Sequence, residues 1–165
     1  MGEAPAMSKF RAVICVGGFV VALGLVLLAI PERAASPAAQ SGNSEPVPAF
    51  HSEVPKGPLP ATLEPSQFDG ALVQNAYAVA ARVKRVLYQQ PCYCHCDRSQ
   101  GHGSLLDCFA GKHAAECGVC IREALYSYEQ TKKGKTPAQV RDGIEKGEWQ
   151  QVDVSKYQTP IAPAK

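Results

Sequence analysis

Nine soft or borderline metal donors lie within 29 residues of this 165-residue chain: Cys92, Cys94, His95, Cys96, His102, Cys108, His113, Cys117 and Cys120. Thiolate and imidazole together suit zinc or copper(I) and serve carboxylate-preferring ions poorly. One tetrahedral site needs four donors, so the set is large enough for two sites or for one clustered site. An extended Cys92-Tyr93-Cys94-His95-Cys96 string places three sulfurs on one side and turns Tyr93 and His95 away. Cys117 and Cys120 stand i, i+3 at the expected start of a helix, where the N-terminal dipole favours thiolate.

Thiolate is both a metal ligand and a redox nucleophile, so two chemistries stay open, beside a third reading in which the six cysteines form disulfides. In the redox alternative Cys117 attacks and Cys120 or a sulfur of the CxC string resolves. In the disulfide alternative the domain is a stapled interaction module. The histidines favour metal, because a disulfide framework has no use for His102 six residues after Cys96 or for His113 four before Cys117. The expected ligands are therefore Cys92, Cys94, Cys96, His102, Cys108, His113, Cys117 and Cys120.

Other chemistries lack their residues. No glycine-rich phosphate loop, GxSxG elbow or HExxH helix is present. Ile121 follows the second cysteine of the CxxC, where haem attachment needs histidine. No apolar strand precedes Cys117, as a thioredoxin-type pair would require. Seventeen Lys and Arg against fifteen Asp and Glu leave a net charge of +2 with interspersed signs, which gives no nucleic-acid footprint. A binding protein fits these residues better than an enzyme.

The elements that must position the donors are helical. Leu72, Val73, Ala76, Val79, Ala80, Val83, Val86 and Leu87 recur at three- and four-residue spacing, which predicts one amphipathic helix ended by Pro91. Ser104 with Asp107 has the form of a capping box, so Ser104 to Phe109 is a short helix closed by Gly111. A third helix runs from Ala114 to about Lys133, with Cys117, Cys120, Ile121, Ala124, Leu125 and Tyr128 inward and Gly134 beyond its end. Thr136-Pro-Ala-Gln139 caps a fourth, with Val140 and Ile144 inward. The expected fold is all-α: about four helices joined by Cys- and His-bearing turns, over residues 63–153, followed by a flexible tail at 154–165. Three apolar stripes make a thin core, the kind that needs disulfides or a metal to hold it.

Ahead of this domain, residues 1–11 end in Lys9 and Arg11, and residues 12–30 are nineteen uncharged residues. As a helix they span ~28 Å, the thickness of a bilayer core. The run is long for a cleaved signal, so it is read as an uncleaved transmembrane anchor. The basic pair stays cytoplasmic and the domain lies on the extracytoplasmic side. Eight of the thirteen prolines fall between Pro31 and Pro65, so residues 31–62 read as a semi-rigid spacer, with His51 an ordinary polar side chain within it.

Pro91-Cys-Tyr-Cys-His-Cys96, Gly101-His102, Asp107-Cys108-Phe109 and His113-x3-Cys117-Gly-Val-Cys120 together resemble the PCYCGC-motif, or CYCxC, family of bacterial proteins. The resemblance runs from about Leu63 to Trp149. It implies an N-terminal lipoprotein signal or membrane segment and, through members with selenocysteine in the motif, thiol redox or soft-metal chemistry. His95 stands where many relatives have Gly, which implies that it is not a required ligand. The lipobox cysteine is missing, which leaves the apolar helix as the anchor.

Overall fold

The computed structural model describes residues 45–161. The N-terminal stretch 1–11, the apolar run 12–30, residues 31–44 of the spacer and residues 162–165 lie outside the described residues. Among the described residues there are helices and no strands, and no helix is long and apolar enough to cross a membrane.

The α-helices are α1 (Ala71–Arg82), α2 (Lys84–Leu87), α3 (Cys96–Ser99), α4 (Leu105–Ala110), α5 (Gly118–Lys132) and α6 (Pro137–Glu145), with short 3-10 turns between and after them. Six rather than about four arise for two local reasons. The first amphipathic stripe breaks at Val83, whose φ of −119° and ψ of 29° leave the helical region. Its N–H still reaches the Val79 carbonyl at 3.1 Å, so the apolar stripe passes through the break and Val79, Ala80, Val83 and Leu87 are all buried. The second extra helix is α3, a single turn that closes the cysteine string.

Capping follows the sequence. The Asp107 carboxylate accepts the N–H groups of Gly103 at 2.8 Å and Ser104 at 3.1 Å, fixing the start of α4. Thr136 and Gln139 exchange side-chain-to-backbone hydrogen bonds at the start of α6. Gly134, just past α5, takes a φ of 81°, which a side chain resists. The third predicted helix begins later than Ala114: His113–Glu116 is a 3-10 turn, and Cys117 leaves helical geometry to cap α5.

α5 is the central element and packs against α1, α2, α4 and α6. Ala76, Tyr77, Val79 and Ala80 of α1, Leu105, Leu106 and Phe109 of α4, Ala124 and Leu125 of α5, and Val140 and Ile144 of α6 are fully buried. Each of the larger aliphatic side chains contributes ~1.5–3 kcal/mol by leaving water. Tyr77 closes one end, stacked on Phe68 at 4.1 Å, with its hydroxyl donating to the Gly111 carbonyl at 2.7 Å.

Two segments expected to lie outside the domain, as a semi-rigid spacer and a flexible tail, make contacts with this body. In the spacer, His51 stacks on Tyr88 at 4.0 Å, Arg141 lies over the Phe50 ring at 4.6 Å, and the Ala49 N–H donates to Asp97 at 3.2 Å. Residues 154–161, expected as part of a flexible tail, carry a 3-10 turn (Val154–Tyr157) and end pinned to α1. The Asn75 amide donates to the carbonyls of Tyr157 and Thr159, and its oxygen accepts the Ile161 N–H. Proline denies the spacer a helix but not side-chain contacts with one.

Candidate metal centre

The cysteine string enters the site from a fixed point. Gln90 is fully buried; its carbonyl accepts the Leu105 N–H at 2.9 Å, and its side-chain amide donates to the carbonyls of Val86 at 2.9 Å and Pro137 at 3.2 Å. The residue before Pro91 is thereby tied to α4 and α6 at once. Beyond it the backbone does not run extended, as alternation alone predicts. It turns: the His95 N–H bonds the Cys92 carbonyl at 3.0 Å, and His95 adopts a left-handed φ of 56° before α3 begins at Cys96. Three sulfurs still converge, through the turn rather than through the pleat. The left-handed position is one where glycine costs nothing and a side chain costs ~1–2 kcal/mol.

Cys108 reaches the cluster from α4, Cys120 from the first turn of α5, and Cys117 from its cap. Cys92, Cys96, Cys108 and Cys120 are at most 2% exposed, while Cys94 and Cys117 are half-buried. The Sγ atoms of Cys92 and Cys94 are 3.3 Å apart, Cys92 and Cys120 3.4 Å, Cys94 and Cys120 3.5 Å, and Cys96 and Cys108 3.3 Å. Disulfide sulfurs stand ~2.05 Å apart, so these are contacts between unbonded thiols. Four sulfurs around one zinc stand ~3.8 Å from each other, close to the spacing found here.

Both imidazoles join them. His113 Nε2 lies 3.4 Å from Cys94 Sγ, and His102 Nδ1 lies 3.3 Å from Cys108 Sγ, with the two rings edge to face at 5.3 Å. All eight residues expected from sequence are thus brought to one place. Seven of the eight fall into two groups whose donor atoms could hold a metal ion: Cys92, Cys94, Cys96 and Cys108, and Cys94, His113, Cys117 and Cys120. Within each group the atoms lie within 4.8 Å of one another. His102 touches Cys108 but belongs to neither group. His95 points elsewhere, with its Nε2 3.3 Å from Glu45.

Thiolates at such distances repel by ~5 kcal/mol per pair at an effective dielectric constant of 20, so without a cation few of the six can be charged together. Hydrogen bonds from Cys108, Cys120, Cys92 and Cys96 hold the Cys94 thiol far below its ordinary range. Its neighbours keep their protons: Cys120 is pushed up to about 11, the pull of Cys108 and Cys92 being outweighed by Cys94 and by burial. In the metal-free centre negative charge is therefore favoured at Cys94 over Cys92, Cys96, Cys108 and Cys120. Binding a cation would release the remaining protons.

Glu123, on α5 one turn after Cys120, is a part of the site that the sequence reading missed. It is fully buried, its Oε1 accepts the Tyr93 N–H at 2.9 Å, and its Oε2 has no hydrogen-bond partner. Burial pushes its carboxyl up to about 8, against the pull of the Tyr93 N–H and the adjacent Cys92 thiol. The available signal is its i+3 spacing from an inward cysteine. Residues 48–49 are the other omission: Pro48 and Ala49 lie over Cys92, Cys96 and His102 and leave only a narrow crevice there.

The family model described as "Protein of unknown function with PCYCGC motif" matches residues 53–161. No curated protein and no solved structure matches the chain.

Proposed function

We propose that this chain, which belongs to the family of proteins with a PCYCGC motif, is a binding protein for a soft or borderline metal ion, zinc or copper(I). The observation that carries the reading is the convergence of six unbonded cysteines and His113 into two four-donor groups, each within 4.8 Å, with His102 against Cys108 beside them. Carboxylate-preferring ions would find no carboxylate in either group. The imidazoles weigh against thiol–disulfide exchange as the main role, since each faces a sulfur where a redox pair needs only its resolving thiol. The apolar run 12–30 behind Lys9 and Arg11 supports a membrane-anchored, extracytoplasmic setting for this domain.

The test is elemental analysis with a free-thiol count on the full-length protein, purified under reducing, anaerobic conditions and offered zinc or copper(I). Retained metal together with protected thiols supports the reading. Six freely titrating or six oxidised cysteines with no bound metal would reject it.

A further inference from the structure

We propose that the centre holds two ions rather than one, and that the Cys94 sulfur bridges them. The proposal rests on the metal-binding reading and adds the nuclearity and the shared ligand.

The two donor groups have only Cys94 in common. Two tetrahedral ions need eight ligand positions, and the groups contain seven side chains, so the count closes when one donor serves twice. Thiolate can do that because its sulfur has lone pairs for two cations, whereas an imidazole nitrogen has one. Cys94 is also the sulfur placed for it, 3.3 Å from Cys92 of the first group, and 3.5 Å from Cys120 and 3.4 Å from His113 of the second.

Charge points the same way. Six thiolates with one divalent ion leave four negative charges uncompensated in a centre that is mostly buried, and a second ion leaves two. The start of α5 supplies part of the remainder, with Cys117 and Cys120 at the positive end of its dipole.

An unbridged pair is the rival arrangement. It would give Cys94 to the second ion alone and complete the first with His102. His102 reaches Cys108 at 3.3 Å but does not fall within 4.8 Å of the whole first group, whereas Cys94 does. The two positions also differ in access. The first group has three buried members of four, and the second has one. The ion held by Cys94, His113, Cys117 and Cys120 should therefore exchange first.

The experiment is an anaerobic titration of the reduced full-length protein with cobalt(II), followed by native mass spectrometry and by electron paramagnetic resonance. The expected result is saturation at two ions per chain. The cobalt signal should grow to one equivalent and then fall as the second ion couples to the first through the shared sulfur. Cys117→Ser and His113→Ala, both at half-buried positions that spare the core, should each leave one ion and an uncoupled signal. His102→Ala should keep both ions and their coupling. Saturation at one ion would overturn the proposal while leaving metal binding standing, and no bound cobalt, zinc or copper(I) would overturn both. Two ions with additive, uncoupled signals, or loss of one ion in His102→Ala, would replace the bridge by the rival arrangement.

Discussion

The Oε1 of Glu123 accepts the backbone N–H of Tyr93 at 2.9 Å, although thirty residues separate them. This bond clamps the cysteine turn onto α5 between Cys92 and Cys94. It also leaves the second carboxyl oxygen buried without a partner. A neutral acid tolerates that environment and a carboxylate does not, since burying an unpaired charge costs far more than burying a polar group.

A pH dependence follows, with a definite sign. Burial raises the Glu123 carboxyl from 4.5 to about 8 in the folded chain. The native state therefore binds a proton more tightly than the unfolded state, and its stabilisation is fully present below ~4.5. As pH rises from there through about 8, the metal-free, reduced protein should lose on the order of a few kcal/mol from this group. Glu123→Gln keeps the bond from Tyr93 and cannot ionise. Urea unfolding of this variant across pH 5–8.5 should show a flatter profile than the parent. Parallel profiles for the two proteins would show that Glu123 does not titrate in this range.

The strap at residues 45–51 gives the second expectation. Its side chains make the His51–Tyr88 stack, the Phe50–Arg141 contact and the Glu45–Arg98 ion pair at 2.7 Å. The ion pair is exposed and contributes little, while the ring contacts are worth ~0.5–1.5 kcal/mol each. His51→Ala with Phe50→Ala should lower the Tm by roughly 5 °C or more. Because Pro48 and Ala49 lie over Cys92, Cys96 and His102, the same variant should also lose metal to a chelator faster. Unchanged melting and unchanged release would show that the strap is a passive cover.

How far the residues alone foretell this arrangement differs from place to place. Periodicity exposes α1, α5 and α6, and capping chemistry locates α4 and α6 at Ser104 and Thr136, because both signals are local. The eight clustered donors are legible for the same reason: soft ligands at that density have few other uses. What escapes is one local turn and whatever depends on a partner distant in sequence. Alternation makes the Cys92–Cys96 string look extended, yet a hydrogen bond from His95 to Cys92 and a left-handed residue fold it into a turn. Glu123 looks like one more helix-surface acid until Tyr93 is placed beside it. Proline-rich composition marks residues 45–51 as non-helical but says nothing of the aromatic and cationic surfaces they meet.

His95 offers a test of the turn itself. Its φ of 56° is a strained choice for a residue with a Cβ, and its Nδ1 is buried without a partner. The family motif has glycine at this position. His95→Gly should therefore stabilise the folded chain by about 1 kcal/mol, less the small contribution of the contact to Glu45. Thermal melting of the metal-free protein measures it. Metal stoichiometry should not change, because the ring lies outside both donor groups. A lower Tm would mean that the Glu45 contact outweighs the backbone strain.

The remaining histidines separate by position in the same geometry. His113 is one of the four donors around Cys117, whereas His102 touches only Cys108 and stands outside both groups. His113→Ala removes a ligand from the more open group, and an ion left with three donors should bind at least ten- to a hundredfold more weakly. His102→Ala removes a neighbour that orients a ligand sulfur, a class of loss that also costs up to ten- to a hundredfold but leaves the ligand count intact. Zinc affinities from competition with a chromophoric chelator should therefore order the variants as His113→Ala weakest, His102→Ala intermediate, and His95→Gly equal to the parent. Stoichiometry distinguishes the first two even where affinities overlap, since only His113→Ala should lose an ion outright. A His102→Ala protein with the lower stoichiometry would add His102 to the ligands of the first ion, beside His113 on the second, and require Cys94 to serve the second ion alone.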